Sequence, residues 1–486
     1  MTTTSDDDLH TPPDPQPDEV APTEHRQRRR GLRPLLLRLH FYAGVFVGPF
    51  ILIAAITGLL YALIPQVDAM VYRHEMTVAQ VGEQRLPLAD QLAAARAAHP
   101  EGSVQRIRPP AAADETTRVI LAVDPAIEED VPPDYARTVF VDPYSGEIRG
   151  ALTTYGQWMP VRAWFDELHR TLHLDAFGRN YSELAASWLW VISLAGLALW
   201  YLHRRDTRKL RRLAVPDRTS KDRRRTLSWH GAVGVWIVVA VLGLSVTGIT
   251  WSRYGGASVN LIQEKLNTTA PSVNTVLAQS GATDSPTEGH QHGAAQITGG
   301  DGLLRGADTA LRTAEGAGLA GPMWMYPPAD AGEGWLVEEN KRDWPTRSDA
   351  ISVDPDSGAV TDRVNAADWP FLAKLTDWAI DAHMGVLFGL PNKILLALTA
   401  IGLIAIVARG YRMWWQRRPT RGSNWAVGRA PLRGILRTLP LAALLAIGAV
   451  TLAVGWFLPL FGISLLAFLV VDCLVGAVKQ RTRAGD

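Results

Sequence analysis

The sequence has one cysteine among its 486 residues, Cys473. An internal disulfide needs two cysteines, and thiolate zinc sites and iron–sulfur clusters also need more than one. The sequence has no GxGxxG fingerprint that follows a strand, no Walker loop and no HExxH motif. Any cofactor must therefore use ligands other than thiolates, and no motif supports a nucleotide-binding or hydrolytic domain.

Charged residues are scarce in six long apolar stretches, although the whole chain carries 49 basic and 48 acidic residues. Each stretch is close to the ~20 residues that cross a bilayer as a helix. The predicted spans are residues 40–64, 183–203, 230–251, 386–409 and two more within a C-terminal hairpin, 434–479. The sequence thus predicts an α-helical polytopic membrane protein with six spans.

The connections between these spans differ in the sign of their charge. Residues 204–228 carry eleven basic and three acidic residues, whereas 65–182 and 252–382 have acidic excesses of 17 to 11 and 18 to 9. Because basic loops stay on the cytoplasmic side, six spans place both termini inside and both long connections outside. The tail 1–33, rich in Asp and Pro and then in Arg, is predicted to be disordered.

Two segments, 38–205 and 228–418, are predicted to be tandem copies of one unit in the same direction. The shared residues are His40, Gly44, Thr57 and Gly58 in the first copy and His230, Gly234, Thr247 and Gly248 in the second. VFVDPYSGEI at 139–148 also matches ISVDPDSGAV at 351–360, and each predicts a β-hairpin. We therefore expect two extracytoplasmic α+β domains and a pseudo-twofold axis along the membrane normal.

Histidines near the membrane surfaces are the main site candidates, because ionisable residues at membrane depth are functional candidates by default. A twofold axis would bring His40 to His230 near the inner surface, and His383 to His169 or His173 near the outer surface. Such histidines could pack as structural residues, transfer protons or ligate haem iron as facing imidazoles. Symmetry favours haem, since two stacked bis-histidine haems would make an electron path across a bilayer about 30 Å thick.

The outer ligand of the first copy has two candidates. His169 lies five residues after Trp164, as His383 lies five residues after Trp378. Counting back from the Phe-Gly pair that follows in both copies favours His173 instead. Both histidines therefore stay in the predicted set.

Gly44 and Gly234 lie one turn beyond the inner histidines, on the same helix face. They would leave room for a porphyrin against the helix, or let two helices approach closely. The predicted cofactor is a pair of b-type haems. The predicted iron ligands are His40, His230, His383 and His173, with His169 as the alternative.

Several stretches of the chain resemble the PepSY-associated transmembrane family. They are RLHFYAGVFVGPFILIAAITGLLYAL, ELHRTLHLDAFGRNYSELAASWLWVISLAGLALW, LSWHGAVGVWIVVAVLGLSVTGITWS and AHMGVLFGLPNKILLALTAIGLIAIVARGYRMWW. The paired VDPxSG turns are similar to those of PepSY domains, which are small α+β folds. The resemblance covers about 38–418, and members are often described as iron-regulated membrane proteins.

The similarity extends to di-haem ferric-siderophore reductases of that family. It implies an oxidoreductase of the bacterial cytoplasmic (inner) membrane that passes electrons outward to a ferric siderophore or another ferric chelate. A membrane quinol or a cytoplasmic reductase would be the electron donor, because the cytoplasmic loops are too short for a flavin or nicotinamide domain. No nucleic-acid partner is expected.

Two other functions stay open at this point. PepSY domains are also associated with protease inhibition, so the chain could be a non-enzymatic membrane protein that binds or regulates an extracytoplasmic partner. A proton-coupled transporter would suit the repeat, but such relays need carboxylates in the spans, and the sequence offers Asp472 in the last span as the candidate.

Overall fold

The structure, a computed structural model, describes residues 33–123, 135–277, 304–417 and 440–484. Apart from Arg33, the tail that is predicted to be disordered lies outside the described residues. In chain order the helices are α1 (Arg33–Phe46), α2 (Gly48–Val71), α3 (Arg73–Met76), α4 (Leu88–Ala98), α5 (Pro160–Thr171), α6 (Asp175–Asp206), α7 (Asp222–Thr250), α8 (Arg253–Lys265), α9 (Ala307–Gly316), α10 (Phe371–His383), α11 (Gly389–Trp415), α12 (Leu441–Phe457) and α13 (Pro459–Ala484). The strands are β1 (Gly102–Arg108), β2 (Thr117–Val123), β3 (Ala136–Val141), β4 (Ile148–Thr154), β5 (Met323–Tyr326), β6 (Trp335–Glu339), β7 (Ala350–Val353) and β8 (Val360–Val364).

Five of the described helices are long and apolar enough to cross a membrane: α2, α6, α7, α11 and the part of α13 up to Val478. The protein is therefore a polytopic membrane protein. The predicted fifth span corresponds to the shorter apolar helix α12, which has 17 residues. At 1.5 Å per residue α12 is about 25 Å long, a little short of a typical hydrocarbon core.

The first predicted span is divided into α1 and α2 at Val47. Pro49 stands at the start of α2 and has no backbone N–H, so one bond of the helical ladder is missing there. The Val47 N–H still donates to the Ala43 carbonyl (2.8 Å), and the Ile51 N–H donates to Val47 (3.1 Å). The chain therefore continues in helical form through the break.

The spanning helices pack against one another, and α6 and α11 each contact both α2 and α7. Helix α6 also contacts α1. The Tyr411 hydroxyl on α11 donates to the Val45 carbonyl (2.7 Å). The C-terminal helix α13 attaches to this bundle through an ion pair between Arg38 and Asp472, and through a hydrogen bond from Trp188 Nε1 to Ser464 Oγ (2.9 Å).

The eight strands form one antiparallel sheet in the order β4-β3-β2-β1-β5-β6-β7-β8. Its centre is the β1–β5 pair, where Ile107 lies opposite Met325. The two halves therefore follow the same strand order outward from the middle.

Both β-hairpins expected from the VDPxSG turns are confirmed, as β3–β4 and β7–β8. In the first turn the Asp142 carboxylate accepts the Tyr144 N–H (2.9 Å), and Gly146 has a φ of 74°. In the second turn the equivalent groups are Asp354, Asp356 and Gly358, with a bond of 2.8 Å and a φ of 69°. The carboxylate fixes the start of each turn, and glycine takes the left-handed position at its end.

The two faces of the sheet have different environments. Helices α4 and α9 cover one face, and their buried residues form a core with alternate strand residues such as Val119 and Leu121. Successive residues of a strand point to opposite faces. Arg118 and Ile120 therefore point to the other face and lie outside that core. A cavity on this second face is also lined by Pro65, near the end of α2, so this face looks toward the spanning helices.

Candidate functional site

The structure brings His40 on α1 and His230 on α7 together, with one ring edge-on to the other. Their ring centroids are 6.1 Å apart, and the ring planes make an angle of 81°. Two imidazole nitrogens that bind one metal at about 2 Å each put their ring centres about 6 Å apart. The spacing of this inner pair therefore matches that of two imidazoles that would bind one metal ion.

The protonation of the inner pair follows from its backbone contacts. His40 Nδ1 lies 2.9 Å from the Ile192 carbonyl on α6, and His230 Nδ1 lies 3.1 Å from the Ile406 carbonyl on α11. A carbonyl oxygen only accepts hydrogen bonds, so each Nδ1 must carry the proton. Each Nε2 then keeps its lone pair, which is the form of histidine that binds a metal.

An outer pair of histidines has the same organisation. His169, near the end of α5, places Nδ1 2.9 Å from the Thr57 hydroxyl, and His383, at the end of α10, places Nδ1 2.5 Å from the Thr247 hydroxyl. Each threonine hydroxyl also bonds a carbonyl of its own helix at 2.9 Å. Because that bond uses the hydroxyl proton, the threonine oxygen accepts the Nδ1–H of the histidine, and Nε2 again remains free.

The outer pair is neutral near neutral pH. Burial lowers the pKa of His169 to about 4 and that of His383 to about 4. The nearby imidazole of His169 contributes to the lowering for His383. A neutral imidazole is the state that metal ligation requires.

His173 occupies a different environment from His169. It follows the end of α5 with a φ of 54°, and its ring centroid is 4.7 Å from that of Trp164. Its Nδ1 lies 3.5 Å from a carboxylate oxygen of Glu167. The structure therefore gives His169, and not His173, the threonine contact that His383 also has. Which of the two ligates stays a prediction.

The described ranges contain no group of three or more His, Cys, Asp and Glu side chains that could hold a metal ion. The four histidines instead form two pairs of potential ligands. A pair of neutral imidazoles would be a sufficient set of protein ligands for haem iron, because the macrocycle would supply the other nitrogens. The donor set thus fits haem better than a bare metal ion.

The family model of the PepSY-associated TM region matches residues 37–417. The chain belongs to the PepSY-associated transmembrane family. A comparison with curated proteins gave no match. The family region contains both histidine pairs, whereas the α12–α13 hairpin follows it.

The predicted glycines of this PepSY-associated transmembrane protein lie beside open space. A Cβ built on Gly44 meets no atom within 4 Å, and one on Gly234 meets only Ile406 Cδ1 at 3.8 Å. Neither glycine is thus needed for close contact with a described neighbour. Both positions leave room beside the inner pair, as a porphyrin would require.

Other glycines, which the sequence analysis did not assign to the site, pack directly on the imidazoles. A Cβ on Gly196 would lie 2.7 Å from His40 Cε1, and a Cβ on Gly58 would lie 3.1 Å from His169 Cε1. The Thr-Gly pair at 57–58 was noted only as a repeat signal. The structure shows that Thr57 orients the imidazole of His169 and that Gly58 packs on it.

Two buried carboxylates on the spanning helices were also missed. Glu183 on α6 and Asp68 on α2 are 0% and 7% exposed. Both carboxylate oxygens of Glu183 accept backbone N–H groups at the start of α8, from Tyr254 and Gly255 at 3.0 Å each. Glu183 therefore caps the start of helix α8, which is a structural role.

Proposed function

We propose that this protein is a di-haem electron-transfer protein of the bacterial inner membrane that reduces a ferric chelate outside the cytoplasm for iron acquisition. In this proposal the chain has six spans with both termini inside and is a tandem repeat of two units. The eight-stranded sheet is then extracytoplasmic. Two b-type haems are the cofactors, and a ferric siderophore or a related chelate is the acceptor.

The observation that carries the proposal is the spacing and tautomer of the inner pair. The ring centroids of His40 and His230 are 6.1 Å apart. In each ring Nδ1 donates to a backbone carbonyl, and Nε2 is unprotonated. A neutral imidazole has one donor and one acceptor nitrogen, and the Nδ1 bond of each histidine uses only the donor, so the acceptor Nε2 is available to a metal. Two neutral imidazoles at this distance would be able to hold one haem iron between them.

The positions of the two pairs along the membrane support transfer across it. His40 and Thr57 are 17 residues apart on α1 and α2, which corresponds to about 25 Å of helix. The inner and outer pairs are therefore separated by most of a hydrocarbon core about 30 Å thick. Two redox centres at these levels would connect the two membrane surfaces.

The residues of the chain have defined tasks in this proposal. His40 and His230 would hold the inner haem, and His383 with His169 the outer one, with His173 as the alternative. Haem, when bound, supplies one-electron chemistry. Ile192, Ile406, Thr57 and Thr247 hold the imidazoles in the neutral form with Nε2 free, and the packed glycines keep them in place.

The overall reaction begins with a membrane quinol or a cytoplasmic reductase and ends at the chelate. Each ferric ion gains one electron and becomes Fe(II), which binds hard oxygen ligands less strongly and is released from the chelate. A quinol supplies two electrons and two protons, so it would reduce two ferric ions.

The test is an absorption spectrum of the detergent-purified protein, oxidised and then reduced with dithionite, with haem quantified per chain. We expect about two haems per chain and a sharp reduced α-band. His40→Ala and His230→Ala should each remove one haem. His99→Ala is the control, because His99 bonds Glu101 in the sheet domain (2.8 Å), away from the spans, and it should retain both haems.

A protein that stays colourless when it is expressed with ample haem contradicts the proposal. The outer domains would then be the functional part, as a binding module on a membrane anchor. Haem in the expected amount but no turnover with ferric chelates would retain the electron-transfer role and reject this acceptor.

A further inference from the structure

A cavity of about 300 Å³ lies between the second face of the sheet and the outer ends of the spanning helices. We call it the outer cavity. Its lining includes Arg108 and Arg118 from the sheet, Trp158 just before α5, Arg162 in the first turn of α5, and Asp68 from α2. It is a site separate from the histidine pairs.

Two of its arginines are direct neighbours in the sheet. Arg108 on β1 lies opposite Arg118 on β2 in the antiparallel register. Like charges directly opposite each other destabilise a strand pair. Burial, and then the charge of Arg108, lower the pKa of Arg118 to about 10. This part of the sheet thus concentrates positive charge at a structural cost.

A third arginine of the outer cavity has an unused donor. Arg162 is 9% exposed, its Nε donates to the Tyr61 hydroxyl (3.2 Å), and its guanidinium carbon lies 3.5 Å from the ring centroid of Trp158. Its Nη2 is buried and has no hydrogen-bond partner among the described residues. Buried donors are normally paired, so this group is placed to meet an acceptor in the cavity. The buried Oδ1 of Asp68, in the same lining, also has no partner among the described residues.

The carboxylates that line the outer cavity do not balance these charges. Asp343 pairs with Lys341 (3.4 Å), and Arg342 is held by Asp381, with Nε 2.6 Å from the carboxylate. Asp68 remains as the one lining carboxylate that faces the other three arginines, Arg108, Arg118 and Arg162. The charge of Glu115, outside the lining, also acts on Arg108 and Arg118. Three arginines thus face two carboxylates, which leaves the cavity with an excess of positive charge.

We propose that the outer cavity binds a small anion with more than one carboxylate group, held by Arg108, Arg118 and Arg162. Arginine forks match carboxylates in two parallel hydrogen bonds, which suits such a ligand. The volume is at the lower end for small-molecule pockets, so it takes a small anion or one anionic arm of a larger molecule.

The outer cavity lies near the outer pair of histidines. The role that we infer for its ligand rests on the proposed function. Arg162 and His169 are seven residues apart on α5, two turns along the same helix face and about 10 Å apart along the axis. An anion in the outer cavity would therefore lie close to the outer pair. An acceptor chelate with carboxylate groups would be held where electrons arrive.

The test is equilibrium binding of radiolabelled citrate to the full-length purified protein at constant ionic strength. We expect saturable binding to the wild type and at least tenfold weaker binding to Arg118→Gln, with partial recovery in Arg118→Lys. Arg312→Gln is the matched control, because Arg312 is an exposed arginine on α9, at the opposite face of the sheet. It should bind citrate as the wild type does.

No saturable citrate binding, or binding that Arg118→Gln leaves unchanged, overturns the proposal. Haem propionates carry the same carboxylate chemistry, so haem content and the reduced spectrum are measured on the same samples. If Arg118→Gln alters these and the haem-loaded wild type binds no citrate, the arginines serve the propionates and the proposal is wrong. Arginine-dependent citrate binding to a colourless protein would instead support the anion site and reject the electron-transfer function.

Discussion

The hydroxyl of Thr57 sets both the orientation and the tautomer of His169. It donates to the Ile53 carbonyl (2.9 Å) and therefore accepts from His169 Nδ1. We expect Thr57→Val to remove this acceptor while it keeps the side-chain shape. Contacts of this kind are worth about 10- to 100-fold in metal affinity. Haem titration of the purified variant should show weaker binding of one haem and normal binding of the other.

Thr399→Val is the control for this change. Thr399 is 1% exposed on α11 and bonds only the Leu395 carbonyl of its own helix (2.7 Å) among the hydrogen bonds described for it. The same loss of a buried hydroxyl there should leave both haems in place. Equal haem binding by Thr57→Val and the wild type would show that the threonine contact does not support a ligand.

The candidate histidines could be predicted at the residue level, because two similar stretches of the sequence align His40 with His230 and Thr57 with Thr247. The groups that anchor the inner pair could not. The acceptors there are the backbone carbonyls of Ile192 and Ile406, and a carbonyl has no sequence signature. The choice between His169 and His173 likewise depends on which ring reaches Thr57, and spacing along the chain left that open.

At the level of helices, α6 packs more closely on His40 than α11 packs on His230. A Cβ on Gly196 of α6 would be 2.7 Å from His40 Cε1, whereas a Cβ on Gly410 of α11 would be 3.8 Å from His230 Cε1. Gly196→Ala must displace an imidazole that is held by the Ile192 carbonyl, and we expect a loss of about 1–3 kcal/mol. Thermal unfolding in detergent measures this effect.

Gly410→Ala is the matched substitution beside the other histidine of the inner pair. The added methyl group meets an ordinary van der Waals contact, and alanine favours a helix over glycine by about 1 kcal/mol. We therefore expect unchanged or slightly higher stability. A similar loss in both variants would mean that the close packing on His40 is not the cause.

Helix α8 begins at the buried carboxylate of Glu183 on α6, which joins the two elements. Glu183→Gln keeps the size but puts an amide N–H₂ opposite one of the backbone donors, Tyr254 or Gly255. We expect the free energy of unfolding to fall by about 1–3 kcal/mol. Glu264→Gln, at an exposed position of α8, should change it little. Equal stability of the two variants would argue against the cap.

The apolar helices and the two hairpins could be predicted because length, composition and turn residues are local signals. The cap could not, since Glu183 stands at the first position of the predicted span 183–203 and resembles ordinary interface charge. The division at Val47 also follows from a short-range effect, the missing N–H of Pro49. It was hidden in the sequence by an uninterrupted apolar run.

In the whole molecule, the two halves of the sheet join through β1 and β5. Nothing in the sequence predicts this contact, because the paired residues Ile107 and Met325 are far apart in the chain and no local motif encodes their pairing. The two outer domains were expected as separate α+β units. Their union in one sheet makes the outer cavity possible, because the arginines of the first half face residues near the central strands.

The central pair also offers a test of both the sheet and its side of the membrane. Opposed residues of antiparallel strands have Cα atoms about 4.5–5.5 Å apart, which a disulfide can bridge. In a Cys473→Ser background, Ile107→Cys with Met325→Cys should form a disulfide in cells, because the proposed outer side is oxidising. Because both positions are buried, thiol labelling of the denatured protein with a maleimide polymer, before and after reduction, measures its formation.

The comparison pair is Ile107→Cys with Ile351→Cys. Ile351 lies on β7, three strands from β1, so about 14 Å separates the two positions and no disulfide should form. Cross-linking of both pairs alike would contradict the strand order. The Ile107→Cys and Met325→Cys variant could instead have free thiols that form a disulfide only when an oxidant is added to opened cells. That result would agree with the strand pairing but would show that the sheet lies in the reducing cytoplasm. The direction of electron flow proposed for this protein would then be reversed, since the outer pair and the anion cavity would face the inside.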